Sequence, residues 1–353
     1  ENMLDVRFKD KDYLSKYDLD VDLFSEFDLV VDDVIPVRKV FILNTDKGDK
    51  VLKKVSYSIS QLEFINYGIE YIRNNNFNRI IEFEKTKSKR IYVPWKNDIY
   101  CIMNLVEGRE CEYSNPVDVM LASRALAELH KASEGLVYEE LFERLLAKNE
   151  QRYLCGRIIE NFKKKSNDLA FFKSIATRNE NKNEFDYIFL KYEKYYEKNI
   201  MQSINILNES EYYNLCREKE KIVFCHHDLA HHNILINKED VYFLDFDYAV
   251  IDLKVHDICN FTNKVIKNFA YDIEKANSIL SEYTEVLPLD NRELKVLYGM
   301  LSFPEDFYSI ARDYYTRKKQ WSEEVFLNKL KKKVEGREER EEFLEAFKNH
   351  YKF

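Results

Sequence analysis

Glycine and proline are scarce: seven and five in 353 residues. That leaves little material for flexible linkers, so compact, mostly helical packing is expected. No apolar run approaches the ~20 residues that a membrane-spanning helix needs. The amino-terminal ENMLDVRFKDKDY lacks the basic-then-apolar order of a signal peptide. There is no excess of basic charge either: 55 Lys and Arg face 63 Asp and Glu, a formal net charge of -8. A nucleic-acid binder needs a basic face, so that class is disfavoured. The six cysteines form no C-x-x-C pair and keep no regular spacing, which reads as reduced thiols. Together these absences predict a soluble cytoplasmic protein with neither a membrane nor a nucleic-acid partner.

What is present is core material. Hydrophobic residues make up 45% of the chain, with 25 Tyr and 24 Phe, enough for about two domains. From about Val30 to Val106 the pattern reads as strands with one helix. VRKVFILN (37–44) and KVLKKV (50–55) flank TDKGD, where Gly48 can take the positive φ of a hairpin turn. Leu62, Ile65, Ile69 and Ile72 then recur at helical spacing behind Ser58 or Ser60 as cap. RIYVPW and DIYCIMNLVEG follow as strand candidates. Pro116 opens a helix whose expected apolar stripe is Val117, Leu121, Ala125 and Leu129. The remainder reads as helical except between Lys221 and Ile251, where KIVFC, NILI and VYFLDF return to strand. YIFLKYEKYYEKNI is expected to be a helical core stripe, and KKKVEGREEREEFLEAFK a solvated helical face.

The chemistry concentrates in FCHHDLAHHNILI (224–236) and the following DFD (245–247). Phosphoryl transfer needs a carboxylate to orient the attacking hydroxyl and take its proton. It also needs an amide and a second carboxylate to hold Mg²⁺ on the nucleotide phosphates. Asp228 suits the first role, Asn233 and Asp245 the second. The five-residue step from Asp228 to Asn233 matches the kinase catalytic loop. Magnesium prefers hard oxygen donors, which gives most of the histidines a supporting part.

The runs HHDLAHHNILI, LDFDYAVID and VHDI resemble the aminoglycoside phosphotransferase and choline kinase superfamily. More narrowly, CHHDLAHHN and DFDY…HD resemble the CotS group of bacterial spore-coat kinase-like proteins. The resemblance implies an α+β, protein-kinase-like fold of two lobes, residues 1–106 and 107–353, with a hinge near residues 103 to 108. It implies ATP and Mg²⁺ as cofactors and a small-molecule hydroxyl as acceptor. Lys53 would be the lysine on the ATP phosphates, with Lys54 as rival; strand alternation puts the two on opposite faces. Glu63 would pair with that lysine, Glu70 lying farther along the helix. CIMNLVEG resembles the hinge, where Met103, Asn104 and Val106 would line the nucleotide, the Asn104 carbonyl and Val106 amide meeting adenine. His226 would be a structural histidine bonding the loop backbone, Asp247 a supporting carboxylate, and Asp257 the brace of the catalytic loop. Two departures stand out: VIPVRKV (34–40) has no glycine where the family usually places one over the phosphates, and His227 replaces a small residue.

Three functional classes follow. The first is a phosphotransferase. The second is a kinase-fold protein of little or no activity, built into the spore coat beside other coat proteins. The third is a metal phosphohydrolase using His227-Asp228, His231, His232 and His256-Asp257 as paired ligands; the β-like flanks KIVFC and NILI speak against it. Cys225 reads as a buried thiol and His130 as a packing histidine.

Overall fold

A computed structural model describes residues 19–353 apart from residue 38. The chain forms two compact units. One holds the described residues up to Cys111 together with Leu136–Glu150 and His231–Tyr248; the other holds Glu112–Gly135, Gln151–Ala230 and Ala249–Phe353. Where the sequence suggests one cut after Val106, the units are discontinuous in sequence. The reason is strand pairing: β8 (Ile234–Asn237) lies between β6 (Arg109–Glu110) and β9 (Asp240–Phe243), which ties residues 231–248 to the first unit.

The first unit carries a five-stranded antiparallel sheet of order β1-β2-β3-β5-β4, built from Val31–Val37, Val40–Thr45, Lys50–Val55, Asp98–Asn104 and Val93–Trp95. The expected strand at 37–44 is in fact two strands that meet near its start: β1 ends at Val37 and β2 begins at Val40, with residue 38 of the glycine-free turn outside the described residues. Pro36 is tolerated because β1 is an edge strand. Gly48 adopts φ +86° in the β2–β3 turn. Leu43, Leu52 and Ile102 are fully buried on one face with Leu23, a residue of α1 (Val21–Ser25), and Phe27. Alternation then turns Lys53 to the other face, opposite Cys101 and Val40.

Helix α2 (Ile59–Asn74) begins with a capping box in which Ser58 and Gln61 bond each other's backbone amides. Leu62, Ile65, Ile69 and Ile72 are buried as their spacing requires. Phe64 stacks on Phe142 of the short helix Glu140–Ala147 at 5.1 Å.

The second unit is mainly helical. Helix α3 (Pro116–Ser133) is capped by Asn115 with Pro116 in its first turn. Of the expected stripe Ala125 and Leu129 are buried, joined by Val119, Ala122 and Leu126, whereas Val117 is 59% exposed and Leu121 half-buried. The last turns, with buried His130 and Ser133, decide the face. Helices α4 (Ile158–Arg178) and α5 (Glu184–Asn208) follow, and Phe185, Phe189, Tyr196 and Ile200 of α5 form the expected core stripe. Tyr196 stacks on Phe307 at 3.8 Å.

The two-stranded ladder of β7 (Ile222–Cys225) and β10 (Val250–Leu253) precedes α6 (Lys254–Ile266). Helices α7 (Ile273–Val286), α8 (Asn291–Leu301) and α9 (Glu305–Tyr315) complete the body of this unit. The segment expected as one solvated face instead breaks at Gly336 between α10 (Glu323–Glu335) and α11 (Arg337–Tyr351); Phe343 and Phe347 of α11 are buried. No helix among the described residues is long and apolar enough to cross a membrane.

Candidate active site

Each unit carries its own set of polar groups. In the first, the Lys53 ammonium lies 2.9 Å from Asp245 Oδ1 and 2.7 Å from Asp247 Oδ2. The Tyr57 hydroxyl donates to Asp247 Oδ1 at 2.9 Å. Asp245 follows β9 with φ +58°, a left-handed conformation that aspartate tolerates better than most residues. The Leu244 amide donates to the Asn233 carbonyl at 2.9 Å, which holds Asn233 beside the strand end that carries Asp245.

Electrostatics follow from two carboxylates sharing one ammonium. Burial pushes the Asp245 carboxyl up, but the Lys53 charge together with hydrogen bonds from Lys53 and Asp247 outweighs it and leaves the group below its ordinary pKa. Asp247 moves the other way: burial, with the Asp245 charge, outweighs Lys53 and raises it. Burial also disfavours the Lys53 ammonium, yet Asp247 and Asp245 hold its pKa above the usual value. The facing Cys101 thiol is pushed up to about 12 by burial.

Lys54 points away, to Asp98 at 2.7 Å, as strand alternation requires. Glu63 differs from expectation. It is exposed on α2, and Glu70 bonds Lys85 at 2.9 Å, so the partners of Lys53 are Asp245 and Asp247 instead. The physical reason is the helical face: α2 turns Leu62 and Ile65 inward, and Glu63 between them faces water. Met103 is buried at the end of β5, bridged to Phe83. Asn104 Oδ1 accepts from the Glu82 amide at 2.6 Å. Val106 lies just beyond β5 and is half-buried.

In the second unit the loop after β7 is held from beneath. The Asp257 carboxylate on α6 accepts from the amides of His226 and His227 at 2.6 and 2.8 Å. His226 is fully buried, and its Nδ1 accepts from the Asp228 amide at 3.2 Å. His130 of α3 joins Asp257 (3.1 Å) to the Tyr283 hydroxyl (2.7 Å) in the same buried network. Burial opposes the Asp257 charge, but His130 and the neighbouring imidazoles hold its carboxyl far below the usual range. His227 has φ +66°, and its Nδ1 has no hydrogen-bond partner among the described residues. Burial, helped by His256, lowers its pKa to about 4.

Asp228 itself is bonded by Lys264 of α6 at 2.6 Å. Lys264 was not singled out by sequence reasoning. The available signal was its position seven residues after Asp257, on the same helical face. Tyr57 carried no signal at all, since its partner Asp247 is 190 residues away.

The paired His-Asp residues of the phosphohydrolase reading are dispersed over other bonds. His231 lies 3.3 Å from Glu110 and His256 lies 2.5 Å from Asp252, while Asp228 and Asp257 have the partners given above. Among the described residues the one grouping with metal-ligand spacing is His130, Cys225 and Asp257. Its carboxylate and imidazole are already spent on internal hydrogen bonds, so it reads as a structural network.

A small antiparallel sheet lobe with the capped helix α2, a mainly helical second unit, and a His-x-Asp loop braced from the following helix define a kinase-like fold. The comparisons agree. A family model described as "Spore coat putative kinase YutH" matches residues 21–347, and the chain belongs to that family. Spore coat protein S of Bacillus subtilis (strain 168) is 24% identical over 318 residues, covering 89% of this chain and 88% of that protein. The crystal structure of an aminoglycoside phosphotransferase from Alicyclobacillus acidocaldarius superposes with a TM-score of 0.81 at 17% identity, over 95% of this chain and 96% of that one. Spectinomycin phosphotransferase APH(9)-Ia, solved with ADP and spectinomycin, superposes with a TM-score of 0.64 at 14% identity, over 88% and 91% of the two chains.

Proposed function

We propose that this protein transfers the γ-phosphoryl group of ATP to a hydroxyl of a small molecule. The observation that carries this reading is the Lys53–Asp245 ion pair at 2.9 Å, which unites the strand lysine and the aspartate of the DFD motif. Lys53 supplies the cation for the nucleotide phosphates. Met103, Asn104 and Val106 line its base. Asn233 and Asp245, with Asp247 beside them, are the oxygen donors suited to Mg²⁺. The fit rests on charge: two carboxylates against one ammonium leave negative charge that a divalent cation balances. When bound, that ion neutralises charge on the phosphates during transfer.

Asp228 orients the acceptor hydroxyl and takes its proton. His226 and Asp257 keep the loop amides in place, so Asp228 need not reorganise when charge develops. Thermal unfolding with Mg²⁺-ATP tests the reading, because a ligand of the native state raises the midpoint. The wild type is expected to shift and Asp245→Asn to lose the shift. No shift in the wild type would sink the proposal.

One pair of observations favours a second reading. Glu63 is exposed, and the β1–β2 connection has no glycine, so the grip on the phosphates is reduced. On that reading the chain is a kinase-shaped component of the spore coat that works through other coat proteins.

A further inference from the structure

Beside Asp228 the second unit contains a cavity of about 520 Å³, within the usual range for small-molecule sites. His227 and Lys264 line it. A smaller cavity of about 140 Å³ shares Asn260, Asn263, Lys264, Phe303 and Glu305 with the first, so the two form one trough along α6. We infer that this trough takes an anionic acceptor, a small hydroxyl compound bearing a carboxylate or phosphate, with Lys267 as the cation that recognises it. The inference rests on the phosphotransferase reading and deepens it.

The argument is one of unbalanced charge. Glu305 is taken by Lys165 at 2.6 Å and Asp306 by Lys333 at 2.9 Å, while Asp168 accepts from Tyr308 at 2.9 Å. Every carboxylate lining the trough is thereby engaged. The side chains of Lys164 and Lys267 are left with no hydrogen bond or ion pair among the described residues. Lys267 is half-buried directly after the last turn of α6, three residues from Lys264, so the lysine that bonds the base and the lysine that lacks an anion are on adjacent turns. Burial pushes the Lys267 ammonium below its usual pKa, Asp306 opposes this, and the charges of Lys333, Lys264 and Lys329 add to it. A desolvated cation among other cations is costly unless an anion joins it. The partnerless Nδ1 of His227 supplies a polar contact in the larger cavity. A cationic acceptor, which the acidic overall charge alone would permit, would meet repulsion here.

The test is thermal unfolding of the full chain at constant ionic strength, with glycerol 3-phosphate, glycerate, glycerol and choline as separate probes. Wild type, Lys267→Met and Lys267→Arg are compared, each also with Mg²⁺-ATP. One or both anionic probes should raise the wild-type midpoint, and the two arms tell phosphate from carboxylate. Lys267→Met should weaken that binding about tenfold or more, the span of a charge-assisted hydrogen bond, and Lys267→Arg should restore it. Glycerol and choline should leave the midpoint unmoved. Stabilisation by choline, no shift with either anion, or an anion shift that survives Lys267→Met would overturn the inference. If Mg²⁺-ATP shifts the midpoint and the anions do not, the phosphotransferase reading stands alone. If the anions act through Lys267 and Mg²⁺-ATP does nothing, the anion site stands and that reading falls.

Discussion

Lys264 donates to Asp228 at 2.6 Å from the same helical face that carries Asp257, the brace of the Asp228 loop. One helix therefore both holds the loop and sets the carboxylate. Asp228→Asn should lower turnover roughly 10²–10⁴-fold, the range for losing a general base, while the Mg²⁺-ATP midpoint shift persists. Lys264→Met should also slow turnover, but cost nothing further in the Asp228→Asn background, because its effect runs through Asp228. Both are read as ADP release in the presence of an acceptor. Additive losses would detach Lys264 from the base.

The two adjacent lysines of β3 should behave differently. Lys53→Met removes the cation shared by Asp245 and Asp247, and should abolish the Mg²⁺-ATP shift. Lys54→Met breaks an exposed pair with Asp98 and should change stability by no more than about 1 kcal/mol, with nucleotide binding intact. Glu63→Ala should be as quiet as Lys54→Met. A loss of nucleotide binding on Glu63→Ala would restore it as a partner of Lys53.

Asp257→Ala should be among the most damaging substitutions in the chain. It strands the buried His226 amide, the partly buried His227 amide and His130, and a broken network of this kind costs about 3–5 kcal/mol. Urea unfolding measures it. A loss under about 1 kcal/mol would mean that the loop is held by other contacts.

Acid sensitivity should trace to His227. Its pKa is lowered from 6.5 to about 4 on folding, so the unfolded chain binds the extra proton first. The stability it contributes is present above pH 6.5 and is lost as pH falls toward 4, to a limit of about 3 kcal/mol. His256, whose pKa is raised beside Asp252, works in the opposite sense and offsets part of this. Asp257, with its depressed carboxyl, adds a further loss at lower pH. His227→Asn keeps a residue that tolerates positive φ and should flatten the midpoint between pH 6.5 and 4. Equal slopes in both proteins would assign the acid sensitivity elsewhere.

Much of this was legible locally. Alternation along KVLKKV separated Lys53 from Lys54, a serine cap at Ser58 or Ser60 announced α2, and the spacing of Asp228, Asn233 and Asp245 pointed to the proposed chemistry. What local pattern could not supply were partnerships made across long sequence distances. Glu63 has the right type and the right helix, yet the face of α2 is set by burial of Leu62, Ile65 and Ile69 and by the stacking of Phe64 on Phe142. Val117 fits a helical stripe, but burial of His130 and Ser133 later in α3 sets the rotation. Lys264 and Lys267 sit in an ordinary amphipathic helix, and only the closure of residues 300–308 against it reveals the trough.

The left-handed backbone at Asp245 carries a consequence for descent. Apart from glycine, aspartate and asparagine are the residues that occupy that region most readily, and their codons differ by a single base. One point mutation can therefore strip the negative charge from this position while leaving the chain's path undisturbed. If the proposed phosphotransferase reading holds, a lineage built on this fold stands one nucleotide from losing its chemistry while keeping its shape.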